Sequence, residues 1–251
     1  MAKERLKVIQ AGRLWMAVQY TAIRGADPGQ RREAKSLIST PARESLNAKY
    51  SWQKLMLLLA SNFKSKDLVV TLTYRDGQLP RHREDAMKQI KAFIRLLRQC
   101  RRKDGQELRY VYTTEGYHSG GRLHHHLIVN ATGQDFDEIR QLWKSNGDNV
   151  DFEPFGWDGP ERWGKYLTKE PREQGRRHVG DRSWSASRNL QRWKPRTEFV
   201  PAGQPLVPPA GATIVDRAQC DNCYGRFCYM MAYLPEDKEP GDCHGGIAAS
   251  Q

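Results

Sequence analysis

One segment, Leu123-His124-His125-His126-Leu127-Ile128-Val129, constrains this chain more than any other. Its apolar, β-branched end marks a buried β-strand. Side chains alternate between the faces of a strand, so His124 and His126 share one face and His125 takes the other. Two imidazoles side by side on a rigid strand are half of a metal site. The remaining ligands, and whatever the metal would act on, have to come from elsewhere in the chain.

The sequence on either side is polar and basic. The 251 residues carry a net charge of +12, with mean hydropathy −0.78. That length suits one catalytic domain with extensions, or two small domains. No apolar run approaches the roughly 20 residues of a membrane span. Met1-Ala-Lys-Glu-Arg leads into no apolar core, so no secretory leader is expected. The charge is uneven: from residue 201 onward three basic and six acidic side chains give −3, leaving +15 on residues 1–200. A body that basic attracts a polyanion such as nucleic acid, although a generally solvated basic surface gives the same count. Five cysteines without a secretory context indicate a reducing compartment.

Patterning supplies the elements. Residues 43–60 read as a helix with Leu46, Tyr50, Leu55, Leu58 and Leu59 on or near one face, and a weak helical signal lies near Trp15–Ile23. Asp67–Tyr74 is a strand. Glu84–Gln99 is an amphipathic helix with Met87, Ile90, Phe93, Ile94 and Leu97 at the spacing of one face. Arg109–Thr114 is a second strand, and Ser119-Gly120-Gly121 turns it into the histidine strand as a hairpin. Asp135, with Glu138 three residues on, is read as the N-cap of a helix burying Phe136, Ile139 and Trp143. Val150–Phe152 is a short strand and Glu161–Lys169 a helix.

In such a hairpin Glu115 ends the strand before the histidine strand, so its carboxylate can reach His124 and His126. Two imidazoles and a carboxylate with open positions suit Mg²⁺ or Mn²⁺ acting on a phosphate oxygen. Downstream, Trp163-Gly-Lys-Tyr166-Leu-Thr-Lys169 puts Tyr166 and Lys169 three apart on a helix. A tyrosine can attack a phosphodiester, and a nearby ammonium would help it. Taken singly, strand histidines are more often ordinary core or surface residues, a strand-end glutamate is usually solvated, and a helical tyrosine beside Trp163 and Leu167 is more often a core aromatic.

Together, and in this order, the segments resemble the rolling-circle replication initiators of the HUH endonuclease superfamily, of phage or plasmid type. Leu68-Val-Val-Thr71-Leu72-Thr73-Tyr74, with Leu79-Pro80 after it, is similar to their first motif. His124-His125-His126-Leu-Ile-Val is similar to the metal motif, with His125 where a bulky apolar residue is usual. Trp163–Lys169 is similar to the tyrosine motif, and Ser187-Arg188-Asn189-Leu190 to a further segment. The likeness covers roughly residues 45–198. It implies an α+β fold: a central antiparallel sheet of about five strands, the metal hairpin in its middle, with flanking helices. It also implies metal on Glu115, His124 and His126, attack by Tyr166 on single-stranded origin DNA, and Lys169 steadying charge. The product is a 5′-phosphotyrosine link and a 3′-OH that primes host polymerase. No G-x-x-x-x-G-K-[ST] loop occurs in the sequence, so strand opening would fall to a host helicase or to supercoiling. Such a protein works on DNA in the bacterial cytoplasm. A single-tyrosine transposase and a non-catalytic DNA-binding protein are the competing readings.

Arg122, Arg176, Arg177, Arg188 and Arg192 are the candidate phosphate contacts and Trp184 a candidate base-stacking ring, against the alternative of a solvated basic face with core tryptophans. The layout expected is a basic extension (1–42), a nicking domain (43–200), then a Pro-rich linker and acidic cysteine tail (201–251). In the tail, Cys220-Asp-Asn-Cys223 has knuckle spacing, and Cys228 and Cys243 would complete a structural Zn²⁺ site; reduced thiols and disulfides stay open as alternatives.

Overall fold

The computed structural model describes residues 3–21, 41–116, 122–168, 183–222 and 225–235. In chain order they form β1 (Lys3–Ala11), β2 (Leu14–Thr21), α1 (Pro41–Asn62), β3 (Leu68–Thr73), α2 (Arg83–Lys103), β4 (Tyr110–Glu115), β5 (His124–Val129), α3 (Asp135–Trp143), β6 (Val150–Pro154), α4 (Gly159–Tyr166), β7 (Ser185–Ala186), β8 (Arg196–Pro201), β9 (Thr213–Asn222) and β10 (Gly225–Tyr233). The fold is α+β. Among the described residues no helix is long and apolar enough to cross a membrane. The chain divides into two compact units, Asp27–Trp193 and the pair Met1–Ala26 with Lys194–Gln251.

The larger unit is built on an antiparallel sheet of order β6-β3-β5-β4-β7, which puts the histidine strand in the middle. Strand alternation sorts its side chains into two cores. Val70, Leu72, Tyr112, Leu127 and Val129 point to one face and pack with α2 and α3 through Ile90, Phe93, Leu97, Ile139 and Trp143. Val69, Val111 and Ile128 point to the other and pack with α1 and α4 through Leu55, Leu58, Leu59, Trp163 and Leu167. Because both faces are covered, β3 and β5 read as nearly continuous apolar runs.

Helix α2 buries the face set by Ala86, Ile90, Phe93, Ile94 and Leu97. Each fully buried aliphatic or aromatic side chain there contributes roughly 1.5–3 kcal/mol relative to exposure. Glu84 and Asp85 in its first turn and Arg101, Arg102 and Lys103 in its last complement the helix dipole. Arg101 is itself buried. It donates to Asp135 Oδ1 at 2.5 Å and to the Asn130 carbonyl at 2.8 Å. Burial lowers its pKa, and the carboxylates of Asp135, Glu138 and Asp67 oppose that shift. Arg101→Met should therefore destabilise the chain by about 3–5 kcal/mol, because Asp135 is left as a buried charge without its partner. A urea midpoint shift worth less than ~1 kcal/mol would show that the pair is not structural.

Three expectations about this unit change. Asp135 is the first helical residue of α3, not its cap; Gln134 holds the cap position without a side-chain bond. The Asp135 carboxylate turns back to accept from Thr132 N (2.7 Å) and Gly133 N (3.0 Å), held there by the Arg101 charge. Phe136 is exposed and meets the rim residue Phe152 edge-on, and Tyr50 of α1 is likewise exposed.

The smaller unit is a second antiparallel sheet, of order β8-β1-β2-β10-β9, which was not foreseen. Described strands from both ends of the chain, β1 and β2 with β8, β9 and β10, make this one sheet. The helical signal near Trp15–Ile23 gives way to β2. Leu14, Trp15, Met16 and Ala17 are all buried, so the alternation that marks a strand is invisible there. The Pro-rich stretch after residue 201 lies on the sheet, with Leu206 and Ala212 packing on Trp15, Ala17, Met230 and Ala232.

Candidate metal and nucleophile site

Register assembles the site. In the β4–β5 hairpin Glu115 lies directly opposite His124, and Thr113 opposite His126; on the other side β3 places Thr73 and Thr71 opposite the same histidines. The hairpin leaves β4 through Gly116, whose φ is +90°. A Cβ at Gly116 would stand 2.3 Å from the Arg122 carbonyl oxygen, so only glycine fits. Arg122 closes the base of the hairpin, bonding to Asp76 and to the Tyr74 carbonyl.

His124 Nε2 and His126 Nε2 stand 3.0 Å apart, and Glu115 Oε2 lies 3.9 and 3.7 Å from them. The Nδ1 atom of His124 donates to the Arg122 carbonyl at 2.7 Å, and that of His126 meets Thr71 Oγ1 at 3.0 Å. With both hydrogens on Nδ1, the two Nε2 lone pairs face each other and the carboxylate. That donor set calls for a cation, and ~3 Å is the separation of adjacent ligands on bonds of ~2.1 Å. Burial, with the His124 imidazole, pushes the pKa of His126 down to about 3, which keeps it an unprotonated ligand. Among the described residues Glu115, His124 and His126 form a group able to hold a metal ion.

His125 takes the opposite face, as alternation requires. It is fully buried, with Nε2 2.6 Å from Tyr74 Oη and Nδ1 2.8 Å from Thr114 Oγ1, and its ring edges onto Trp143.

Tyr166, the last residue of α4, is 41% exposed. Its ring stands edge-on to His126 with centroids 4.9 Å apart, and edge-on to Trp163 at 5.6 Å. Gly164 sets this placement: a Cβ there would lie 2.7 Å from Met56 Cγ, so the glycine lets α4 sit close against α1. Burial raises the Tyr166 pKa, and the carboxylates of Glu115 and Glu153 raise it further. A cation among the three ligands would act in the opposite direction.

The remaining candidates scatter. Lys169, Arg176 and Arg177 lie outside the described residues. Arg192 and Arg188 are exposed, and Arg188 helps line a cleft of about 830 Å³ with Arg98, Arg102 and Tyr110. Trp184 is half-buried against the α1 core and donates to Ser51 Oγ at 3.1 Å, so its ring is used in packing. Among the described residues the proposed zinc set is not assembled. Cys220 lies opposite Phe227 and Cys228 opposite Gln219, so the two sulfurs point to opposite faces of one sheet; Cys223 and Cys243 lie outside the described residues. Thr71 was missed as a support for His126. Its place in Thr71-Leu72-Thr73 already put it on the face that pairs with the metal ligands.

No curated protein and no solved structure matches the chain. Residues 67–179, which run from β3 through Glu115 and the histidine strand and past Tyr166, match a family model for replication-associated proteins of the ORF2 and phage gene-II-protein type. Over that span the chain is similar to this replication-associated protein family, of the HUH-type initiators that its three motifs resemble.

Proposed function

We propose that the chain initiates rolling-circle replication by nicking and rejoining single-stranded DNA at an origin. The observation that carries this reading is the ring of Tyr166 edge-on to His126, beside a His-His-Glu group on the same face of one sheet. Tyr166 Oη attacks the scissile phosphorus, and the bond to the 3′ oxygen breaks. The products are a free 3′-OH and a 5′-phosphotyrosine; attack by a 3′-OH on that link reverses the step and rejoins DNA. When bound, Mg²⁺ or Mn²⁺ supplies polarisation of the phosphate and favours the ionised phenol. Glu115, His124 and His126 hold it, while Thr71 and the Arg122 carbonyl fix the imidazoles. Lys169 steadies charge on the phosphate, and Arg176, Arg177, Arg188 and Arg192 contact the backbone. A host helicase opens the duplex and host polymerase extends the 3′-OH, on DNA in the bacterial cytoplasm.

The test is a pool of single-stranded fragments tiling the replicon that encodes the chain, labelled at either end and incubated with Mn²⁺. The 3′ label should stay on the protein through a denaturing gel. The 5′ label should leave with an extendable 3′-OH, and EDTA should abolish both. Cleavage with neither fragment attached would remove the tyrosine mechanism.

A further inference from the structure

The sheet of the smaller unit sorts its side chains by chemistry. β1 begins Lys3-Glu4-Arg5-Leu6-Lys7, so alternation puts three cations on one face and Glu4 on the other. Glu4 is buried there and accepts from Gln19 Nε2 at 2.6 Å. Register extends the cationic face into a row: Phe199 opposite Arg5, Arg5 opposite Tyr20, Tyr20 opposite Phe227. Phe199 is 59% exposed and Phe227 43%. The Arg5 guanidinium lies over the Phe199 ring, 5.5 Å from its centroid. Glu198 and Asp221 pair with Leu6 and Arg226, which assigns them to the opposite face. Among the described acidic residues Asp216 shares the cationic face, but at its far end beside Met231.

Three aromatic rings across four neighbouring strands therefore span about three strand spacings, ~14 Å, with Lys3, Arg5 and Lys7 among them and no described carboxylate between. We infer that this row is a platform for single-stranded DNA: Phe199, Tyr20 and Phe227 stack on unpaired bases while Lys3, Arg5 and Lys7 neutralise the flanking phosphates. The charge of the face excludes a basic partner, and open rings suit bases whose faces are not already stacked in a duplex. The choice of DNA rests on the nicking reading above; the platform lies outside the family-matched residues 67–179.

The experiment measures binding of the full chain to fluorescein-labelled oligo(dT) of about 20 nucleotides, in EDTA, across a salt series. Phe199→Ala and Phe227→Ala should each weaken it roughly fivefold to a hundredfold. Phe136→Ala, an equally exposed ring in the other unit, should change it less than twofold. Arg5→Gln with Lys7→Gln should flatten the salt slope by about 0.7 for each phosphate no longer neutralised. Circular dichroism checks that each variant folds, and all the substituted side chains are surface groups. Affinity indifferent to both phenylalanines overturns the proposal. So does an equal loss in Phe136→Ala, or a change confined to sedimentation, which would make the row an interface between copies. Nicking plays no part in this measurement. A chain that binds through these rings and never nicks keeps the platform and loses the initiator reading, and the converse result does the reverse.

Discussion

Tyr166→Phe should form no covalent adduct with single-stranded DNA under conditions where the wild-type chain does, a loss of at least about a thousandfold. The substitution removes one oxygen and leaves the packing, because the contacts to His126 and Trp163 are made by the ring. Affinity for the same oligonucleotide, read by anisotropy with Mn²⁺ present, should stay within about twofold. The other tyrosines near the hairpin are poor substitutes for a geometric reason. Tyr110 and Tyr112 alternate with Val111 and Thr113 along β4, and they pack with the α2 core. Tyr112 is also buried, and burial raises its pKa. An adduct of wild-type yield from Tyr166→Phe would therefore mean that another residue is the nucleophile, such as the exposed Tyr50 or Tyr117, which lies outside the described residues. If Tyr166 is the nucleophile, closing a replication round would need a second protomer or another nucleophile, since neither strand tyrosine shares its face.

The site was legible because it depends on alternation and register, which are written into short segments. His124 and His126 on one face, Glu115 one hairpin away and His125 turned inward all follow from a period of two and an antiparallel pair. The second sheet was not legible for the opposite reason. β2 and β10 are buried on both faces over Leu14–Ala17 and Cys228–Ala232, which erases the alternation. Their partners come from opposite ends of the chain, so no local signal joins them: β2 pairs with β10 across about two hundred residues. Asp135 failed as a cap on similar grounds. Local spacing favoured a capping box, but a buried arginine from another helix claimed the carboxylate.

The three adjacent histidines should separate cleanly on substitution. His124→Ala and His126→Ala should each weaken Mn²⁺ binding by more than about a hundredfold in calorimetric titration and take nicking with it, since each removes one of three ligands. His125→Leu should keep Mn²⁺ affinity and nicking, because its ring lies on the other face of β5. It is not a silent change, however, even though a bulky apolar residue is usual at this place in the family. His125 satisfies the Tyr74 hydroxyl and the Thr114 hydroxyl, both buried. Leucine would strand the Tyr74 hydroxyl at roughly 1–3 kcal/mol and leave the Thr114 hydroxyl only its weak bond to Met87 Sδ at 3.5 Å, partly offset by its own apolar burial, for a net loss of about 1–3 kcal/mol in the urea midpoint. Removing the stranded groups as well tests the cause. His125→Leu with Tyr74→Phe and Thr114→Val should recover most of that loss, since an apolar cluster of the same shape has nothing left unbonded. If the triple variant is no more stable than His125→Leu alone, the cost lies in the shape of the core around Trp143 rather than in the two hydrogen bonds. If His125→Leu loses Mn²⁺ affinity as fully as its neighbours do, the alternation on which the whole site is built is wrong.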